Sequence, residues 1–306
     1  MKRILLIIIS SGLLLVLAVW AFTSGPLVTK LTDSRLKITT SFYPLYFFTK
    51  EIADDRADVY NITPAGAEPH DYELTSEDRA RIEDSSLLVL NGAMLEPWGS
   101  NIKNILAGST TKVVTVGDIL ATDTLNENGA IGRDPHVWLD PVLAKKEVAT
   151  IADALIQTDP RNTASYQANL QVLNGKLDAL DAQYRSALQT CQQKNIVTSH
   201  AAFNYLAKEY GLNQVSITGL SPDAEPSAET LAQIADFARK NNVKYIFFES
   251  LVSPKLAETV AREVGAQTMV LNPIEGLTDT DIAAGKNYFT EMEANLNNLK
   301  LSLQCQ

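Results

Sequence analysis

The sequence predicts an α/β protein of two (β/α) lobes with mainly parallel sheets, joined by one long backbone helix. Short apolar runs such as residues 87–90 are typical of strands buried on both faces of a parallel sheet. Strand patterns alternate with helical patterns in both halves of the chain. Between the halves, apolar residues spaced by three and four indicate one helix over residues 164–191, about 40 Å long.

The N-terminal lobe is predicted as residues 36–158. Pro44 near the start of one helix, a Thr75/Asp78 pair typical of a capping box and Asp140 before Pro141 indicate three helix starts. Residues 122–133 are expected to form a polar loop. The predicted strands are 36–41, 57–62, 87–90 and 112–116, and the predicted helices are 44–52, 75–84 and one from residue 141.

The linking helix is assigned to residues 160–192 and the C-terminal lobe to residues 193–306, where strands and helices alternate again. The predicted strands are 195–199, 214–217, 243–248 and 267–271, and the predicted helices are 201–210, 227–240, 254–264 and a final helix ending near residue 303.

The first 24 residues predict export from the cytoplasm. Lys2 and Arg3 precede an apolar run over residues 4–22, which is typical of a signal peptide or an uncleaved membrane anchor. No cysteine follows the run, so we do not expect a lipid-modified N-terminus. The chain has two cysteines, Cys191 and Cys305, and an even count in an exported protein predicts one disulfide.

Composition narrows the function. Apolar residues make up 45% of the chain and charged residues 20%, which predicts packed cores rather than disorder. The net charge of −10 argues against binding to a nucleic acid backbone and suits a soluble protein that attracts cations.

The three histidines of the chain predict a metal site in the cleft between the lobes. His70, His136 and His200 each fall in a loop after a strand or before a helix. Ligands of open α/β sheets bind beyond the carboxyl ends of the strands, so these loops are expected to converge. Three imidazoles suit Zn²⁺, with Mn²⁺ less favoured because manganese prefers oxygen ligands.

A carboxylate is expected to complete the site. Glu275 is the first candidate because it follows a strand within a Pro/Gly turn, and Asp279 is the second. Glu68 and Glu249 are weaker candidates, and we expect Glu249→Ala to leave zinc binding almost unchanged. Asp134 is a candidate hydrogen-bond partner for an imidazole N–H, although a turn cap fits it equally well.

Five motifs together resemble the solute-binding proteins of zinc and manganese ABC transporters, the ZnuA, AdcA and TroA group. They are EPHDYE at 68–73, DPHVWLDP at 134–141, SHAAFNYL at 199–206, EPS at 225–227 and NPIEGLT at 272–278. The resemblance implies metal ligands at His70, His136, His200 and Glu275. His200 indicates the zinc branch, because the manganese members usually carry a carboxylate at that position.

The resemblance also implies a function. It is capture of Zn²⁺ outside the cytoplasm, by a protein expected to be monomeric, and delivery to an ABC permease in the membrane. The alternatives are a manganese- or iron-binding member of the family or a surface adhesin. A zinc hydrolase is less favoured, because the sequence has no His-Glu-x-x-His segment and Glu275 would fill the fourth position. We therefore expect no enzymatic activity.

Overall fold

The computed structural model describes residues 35–127 and 130–306, and two four-stranded parallel sheets organise them. The strands of the described residues are β1 (Leu36–Thr40), β2 (Ala57–Asn61), β3 (Leu87–Leu90), β4 (Lys112–Thr115), β5 (Thr124–Glu127), β6 (Ala130–Arg133), β7 (Asn195–Thr198), β8 (Asn213–Ser216), β9 (Tyr245–Phe248) and β10 (Gln267–Val270). The predicted fold class is confirmed.

The helices surround the two sheets. They are α1 (Tyr43–Ala53), α2 (Ser76–Asp84), α3 (Gly99–Ile105), α4 (Pro141–Thr158), α5 (Thr163–Leu188), α6 (Asn204–Glu209), α7 (Ala228–Lys240), α8 (Lys255–Val264), α9 (Asp279–Ala283) and α10 (Tyr288–Ser302). Short 3₁₀ turns at Val137–Leu139 and Pro160–Asn162 precede α4 and α5.

Both sheets have the same topology. The first has the order β2-β1-β3-β4. The second, read from its other edge, has the order β8-β7-β9-β10, so in both sheets the strands lie in the order second, first, third and fourth of the lobe. All neighbouring strands within these two sheets run parallel. The carboxyl ends of the strands therefore lie at one edge of each sheet, which is where ligands of such sheets bind.

The long helix α5 joins the lobes through a shared core. Its 26 residues span about 39 Å, close to the predicted length. One face is buried, and it consists of Tyr166, Leu173, Leu177, Leu180, Tyr184 and Leu188. A single apolar cluster contains this face together with Ile38 of the first sheet and Phe247 of the second. Because the lobes share buried apolar surface, parting them widely would expose part of that core to water.

Several predicted boundaries are wrong. The loop expected at residues 122–133 contains an antiparallel hairpin of β5 and β6. The helix α3 was not predicted, and α6 begins at Asn204 rather than at residue 201. The final helix is divided into α9 and α10, because Gly285 takes a left-handed φ of 78° and Asn287 starts a new helix with a capping box.

The predicted disulfide between Cys191 and Cys305 is present and ties the end of the chain to the start of the second lobe. Residues 35–306 form one compact unit, and the predicted lobe boundaries stay a prediction. The signal peptide or anchor predicted within residues 1–24 lies outside the described residues. In the part of the chain that the structure describes, no helix has the length and apolar character needed to span a membrane.

Glu147 is a buried acid on α4, and the described part of the fold offers no partner that would stabilise its ionised form. Its side chain is fully buried, and among the described residues neither carboxyl oxygen has a hydrogen-bond partner. Burial raises the pKa of Glu147 well above its usual value. The unfolded chain releases this proton at ordinary acidic pH, whereas the folded chain retains it. The folded state therefore loses stability as the pH rises above the unfolded pKa and toward the folded one.

We expect Glu147→Met to raise the free energy of unfolding at pH 7.5 by about 1–3 kcal/mol, because it removes an unpaired polar group at similar volume. The gain should shrink toward pH 4.5, where the unfolded carboxyl is itself protonated. Urea unfolding at both pH values measures this difference. Asp153→Asn, an exposed change on the same helix, is the control. A gain for Glu147→Met that does not depend on pH would contradict this explanation.

Candidate metal centre

The fold brings His70, His136, His200 and Glu275 together. One nitrogen or oxygen atom from each of these side chains lies within 4.8 Å of those from the other three. His70, His200 and Glu275 come from loops that follow β2, β7 and β10, and His136 precedes the 3₁₀ turn before α4. The four residues predicted from the sequence therefore meet at the facing carboxyl ends of both sheets, as the topology requires.

The spacing of these atoms matches a small tetrahedral ion. Glu275 Oε1 lies 3.1 Å from His136 Nε2 and 3.4 Å from the Nε2 atoms of His70 and His200. The Nε2 atoms of His136 and His200 are 3.1 Å apart. Around a tetrahedral ion with bonds of about 2.0 Å, neighbouring ligand atoms lie about 3.3 Å apart. These four separations, out of the six among the four atoms, are therefore close to those around a tetrahedral Zn²⁺ ion.

Two buried carboxylates orient two of the imidazoles. Asp134 Oδ1 accepts a hydrogen bond from Nδ1 of His136 at 2.7 Å and from its backbone N–H at 3.0 Å. Glu249 Oε1 accepts from Nδ1 of His200 at 2.7 Å and from its backbone N–H at 3.2 Å. These bonds keep a proton on Nδ1 of each ring and leave Nε2, which faces the site, as the atom that can ligate an ion.

His70 is held differently. Its backbone N–H donates to Glu68 Oε1 at 3.3 Å, and its side chain is 8% exposed whereas those of His136 and His200 are fully buried. Among the described residues, neither His70 Nε2 nor Glu275 Oε2 has a hydrogen-bond partner. Buried polar atoms without partners are costly, and a bound cation would satisfy both.

The pKa directions describe a buried carboxylate that interacts strongly with the imidazoles around it. Burial raises the pKa of Glu275, but the charge of His200 and hydrogen bonds from the imidazoles lower it well below its usual value. Burial lowers the pKa of His136 and His200, but hydrogen bonds and charges from carboxylates raise both above the usual value. Burial lowers the pKa of His70. The site therefore holds an ionised carboxylate and attracts positive charge.

The loop of His136 is fixed by bonds to three other parts of the chain. Asn91 Nδ2 donates to the Pro135 carbonyl at 3.0 Å, and Asp140 caps α4 by accepting from the backbone N–H of Val142 at 2.8 Å. Trp138 Nε1 donates to the Pro273 carbonyl at 2.8 Å, which ties this loop to that of Glu275. The position of His136 is thus set both by local turns and by hydrogen bonds between the lobes.

The loop of Glu275 contains backbone strain. Ile274 has a φ of 60°, a left-handed value that β-branched residues rarely adopt. The strained residue is fully buried, and its N–H donates to Asn272 Oδ1 at 2.9 Å. Asn272 is in turn held by Asn295 of α10, whose side chain bonds both its N–H and its carbonyl. Strain maintained by the surrounding structure is typical of functional sites, and here it directs Glu275 into the cleft.

The other predicted carboxylates have different positions. Asp279 is exposed in the first turn of α9 and lies outside the group of four. Glu68 contacts the backbone of His70, and its pKa is raised to about 9 by burial and by the charge of Glu275. Glu249 is 3% exposed and bonded to Nδ1 of His200, so we revise the expectation that its loss leaves zinc binding almost unchanged. Only its position at the end of a strand signalled this role in the sequence.

Asp134 makes the imidazole contact for which it was a candidate. No pattern in the sequence indicated Asn204, whose Nδ2 donates to Asp134 Oδ2 at 3.0 Å.

Comparison with known proteins identifies the family. The family model described as the periplasmic zinc-uptake complex component A, ZnuA, matches residues 38–301. The chain belongs to the ZnuA family. It is 43% identical over 282 residues to the zinc-binding lipoprotein AdcA of Streptococcus pneumoniae, covering 89% of this chain and 56% of that protein. It thus spans little more than half the length of that relative. The high-affinity zinc uptake system protein ZnuA of Bacillus subtilis is 41% identical, and the match covers 88% of each chain.

Solved structures of the ZnuA family have the same fold. The crystal structure of the Zn(II)-bound ZnuA-like domain of Streptococcus pneumoniae AdcA is 43% identical with a TM-score of 0.76, covering 88% of this chain and 99% of that domain. The laminin-binding protein Lmb of Streptococcus agalactiae, described as bifunctional with adhesin and metal transporting activity, is 36% identical. Its TM-score is 0.80, with coverage of 88% of this chain and 99% of Lmb.

We expect Glu249→Ala to weaken Zn²⁺ binding by about 10- to 100-fold, because His200 loses the partner that fixes its ring and its tautomer. A competition titration against a chelating indicator measures the dissociation constant. Glu263→Ala removes an exposed acid of the same lobe and should change it less than about twofold. Equal affinities for the two variants would show that Glu249 does not support the site.

Proposed function

We propose that this protein is an extracytoplasmic zinc-binding protein that captures one Zn²⁺ ion and delivers it to an ABC permease in the membrane. Its ligands in this proposal are His70, His136, His200 and Glu275. The observation that carries the proposal is that their four donor atoms lie within 4.8 Å of one another in a cleft, with the Glu275 oxygen 3.1–3.4 Å from all three Nε2 atoms.

The donor set favours zinc over manganese. Three imidazoles and one carboxylate suit a borderline-soft, four-coordinate ion, whereas Mn²⁺ prefers more ligands and more oxygen. The zinc names of the AdcA and ZnuA relatives support the same choice. A manganese-binding role is therefore the weaker alternative.

Capture follows from the origin of the ligands. His70 and His136 belong to the first lobe and His200 and Glu275 to the second, so a bound ion crosslinks the two. The buried carboxylates Asp134 and Glu249 hold two rings in their ligating tautomer, so fewer groups have to be ordered when the ion binds. The shared core around α5 limits how far the lobes can part for release. We expect a permease to recognise the form in which the bound ion crosslinks the two lobes.

Transport is favoured over catalysis because the fourth ligand comes from the protein. A catalytic zinc needs an open position for water or substrate. Here Glu275 would occupy that position, inside a site whose ligands are at most 8% exposed. Adhesion, the role named for Lmb, stays an expectation from the resemblance, and nothing among residues 35–127 and 130–306 specifically favours it. The monomeric state is likewise proposed.

The proposal predicts that His136→Ala and Glu275→Ala each weaken Zn²⁺ binding by at least about 100-fold. Either change removes a ligand and leaves other buried polar atoms without partners. Calorimetry with a competing chelator measures the loss, and the stoichiometry should be one ion per chain in the unaltered protein.

Asp279→Ala provides the matched control, because it removes the other carboxylate considered for the fourth position. Its affinity should stay within about twofold of the unaltered protein. If Asp279→Ala loses affinity and Glu275→Ala retains it, the fourth ligand has been assigned to the wrong residue. If the unaltered protein does not bind Zn²⁺, the proposed function is wrong.

A further inference from the structure

Asp134 is shared between the two lobes. Its Oδ1 atom serves His136, and its Oδ2 atom accepts a hydrogen bond from Nδ2 of Asn204 at 3.0 Å. Its backbone carbonyl accepts from the Tyr205 hydroxyl, also at 3.0 Å. Asn204 and Tyr205 belong to the second lobe, and Asp134 is fully buried between them and the imidazole. One carboxylate thus contacts a proposed ligand on one side and the opposite lobe on the other.

The partners of Asp134 are themselves fixed in place. Asn204 is the first residue of α6, four positions after His200, and its Nδ2 also donates to the Ala201 carbonyl at 3.1 Å. The Tyr205 side chain is 4% exposed and packs in a small apolar cluster with Ala93, Ala121 and Val137 of the first lobe. The start of α6 is therefore anchored on both sides of the cleft.

We propose that Asn204 is a positioning residue for metal binding, acting through Asp134 with the support of Tyr205. This inference rests on the proposed zinc-binding function. Asn204 holds the plane of the Asp134 carboxylate, and the carboxylate holds the ring of His136. The orientation of a first-lobe ligand is thereby set by the helix that follows His200, a second-lobe ligand.

The geometry explains why this linkage matters. A carboxylate bonded only through Oδ1 can rotate about its Cβ–Cγ bond, and the imidazole that it holds can tilt with it. A second bond at Oδ2 from the opposite side removes that freedom. Ordering the ring before the ion arrives lowers the entropic cost of binding. The same bond neutralises part of the negative charge on Asp134 by donating to it in a buried place.

A second interlobe contact on the same helix provides the comparison. Lys208, one turn after Asn204, forms an ion pair with Asp123 at 3.0 Å. The Lys208 side chain is 72% exposed, and none of the proposed ligands takes part in this pair. It joins the lobes without touching the metal centre, and exposed pairs of this kind contribute little.

The test measures the affinity and dissociation rate of Zn²⁺ for the whole chain with Asn204→Ala or Lys208→Ala. We expect Asn204→Ala to bind Zn²⁺ roughly tenfold more weakly, mainly through faster dissociation, because an outer hydrogen bond of a metal ligand is lost. Lys208→Ala should stay within about twofold. The visible spectrum of the Co²⁺-loaded protein should shift for Asn204→Ala alone, since only that change alters the ligand geometry.

A double-mutant cycle separates positioning from general support of the fold. If Asn204 acts through Asp134, then adding Asn204→Ala to Asp134→Ala should weaken binding less than about twofold further. A full tenfold further loss in that background, or an unchanged Co²⁺ spectrum, would overturn the proposal. So would an unaltered affinity for Asn204→Ala.

The variant Asn204→Asp covers the case in which alanine prevents folding. It keeps the size of the side chain but places a negative charge against Oδ2 of Asp134, so binding should weaken at least as much as with alanine. Unaltered affinity for Asn204→Asp would overturn the proposal. If the unaltered protein binds no Zn²⁺, the proposed function fails; if it binds and the Asn204 variants match it, this inference alone fails.

Discussion

The constraint on which the rest of this structure depends is the enclosure of three imidazole rings around one buried carboxylate, with the Nε2 atoms of His136 and His200 only 3.1 Å apart. Asp134 and Glu249 each accept a hydrogen bond from Nδ1 of one ring, which turns the Nε2 atom of that ring toward Glu275. The adjacent Glu275 carboxylate adds a further acceptor. Such a cluster needs positive charge beside the buried carboxylate, which protons on the imidazoles or a bound metal ion can supply.

The fold around this cluster provides the rigidity that it requires. Two sheets of the same strand order present their carboxyl ends to a common cleft, and one helix with a shared apolar core joins them. Hydrogen bonds between the lobes converge on the loop of His136, from Trp138 to Pro273 and from Asn204 to Asp134. The position of the His136 ring is thus set by contacts that do not involve His70, His200 or Glu275 themselves.

The sequence predicted the strands and the four side chains that meet in the cleft, because both leave local signals. The chain has only three histidines, and the residues around each one indicate a strand end or a helix start. The supporting contacts leave no such signal. The role of Glu249 was not predicted because its partner His200 is 49 positions away in the sequence. The left-handed φ of Ile274 depends on tertiary packing, and a β-branched residue gives no sequence signal for it. The antiparallel pair of β5 and β6 was not predicted, because its two short segments do not alternate apolar and polar residues as a half-buried strand does.

The most direct test of the central claim is a crystal structure of the purified, zinc-loaded protein with anomalous diffraction measured on both sides of the zinc absorption edge. We expect one strong anomalous peak per chain, at bonding distance from Nε2 of His70, His136 and His200 and from a carboxylate oxygen of Glu275. A peak bound by other residues, or a cleft without a peak in protein that carries stoichiometric zinc, would contradict it.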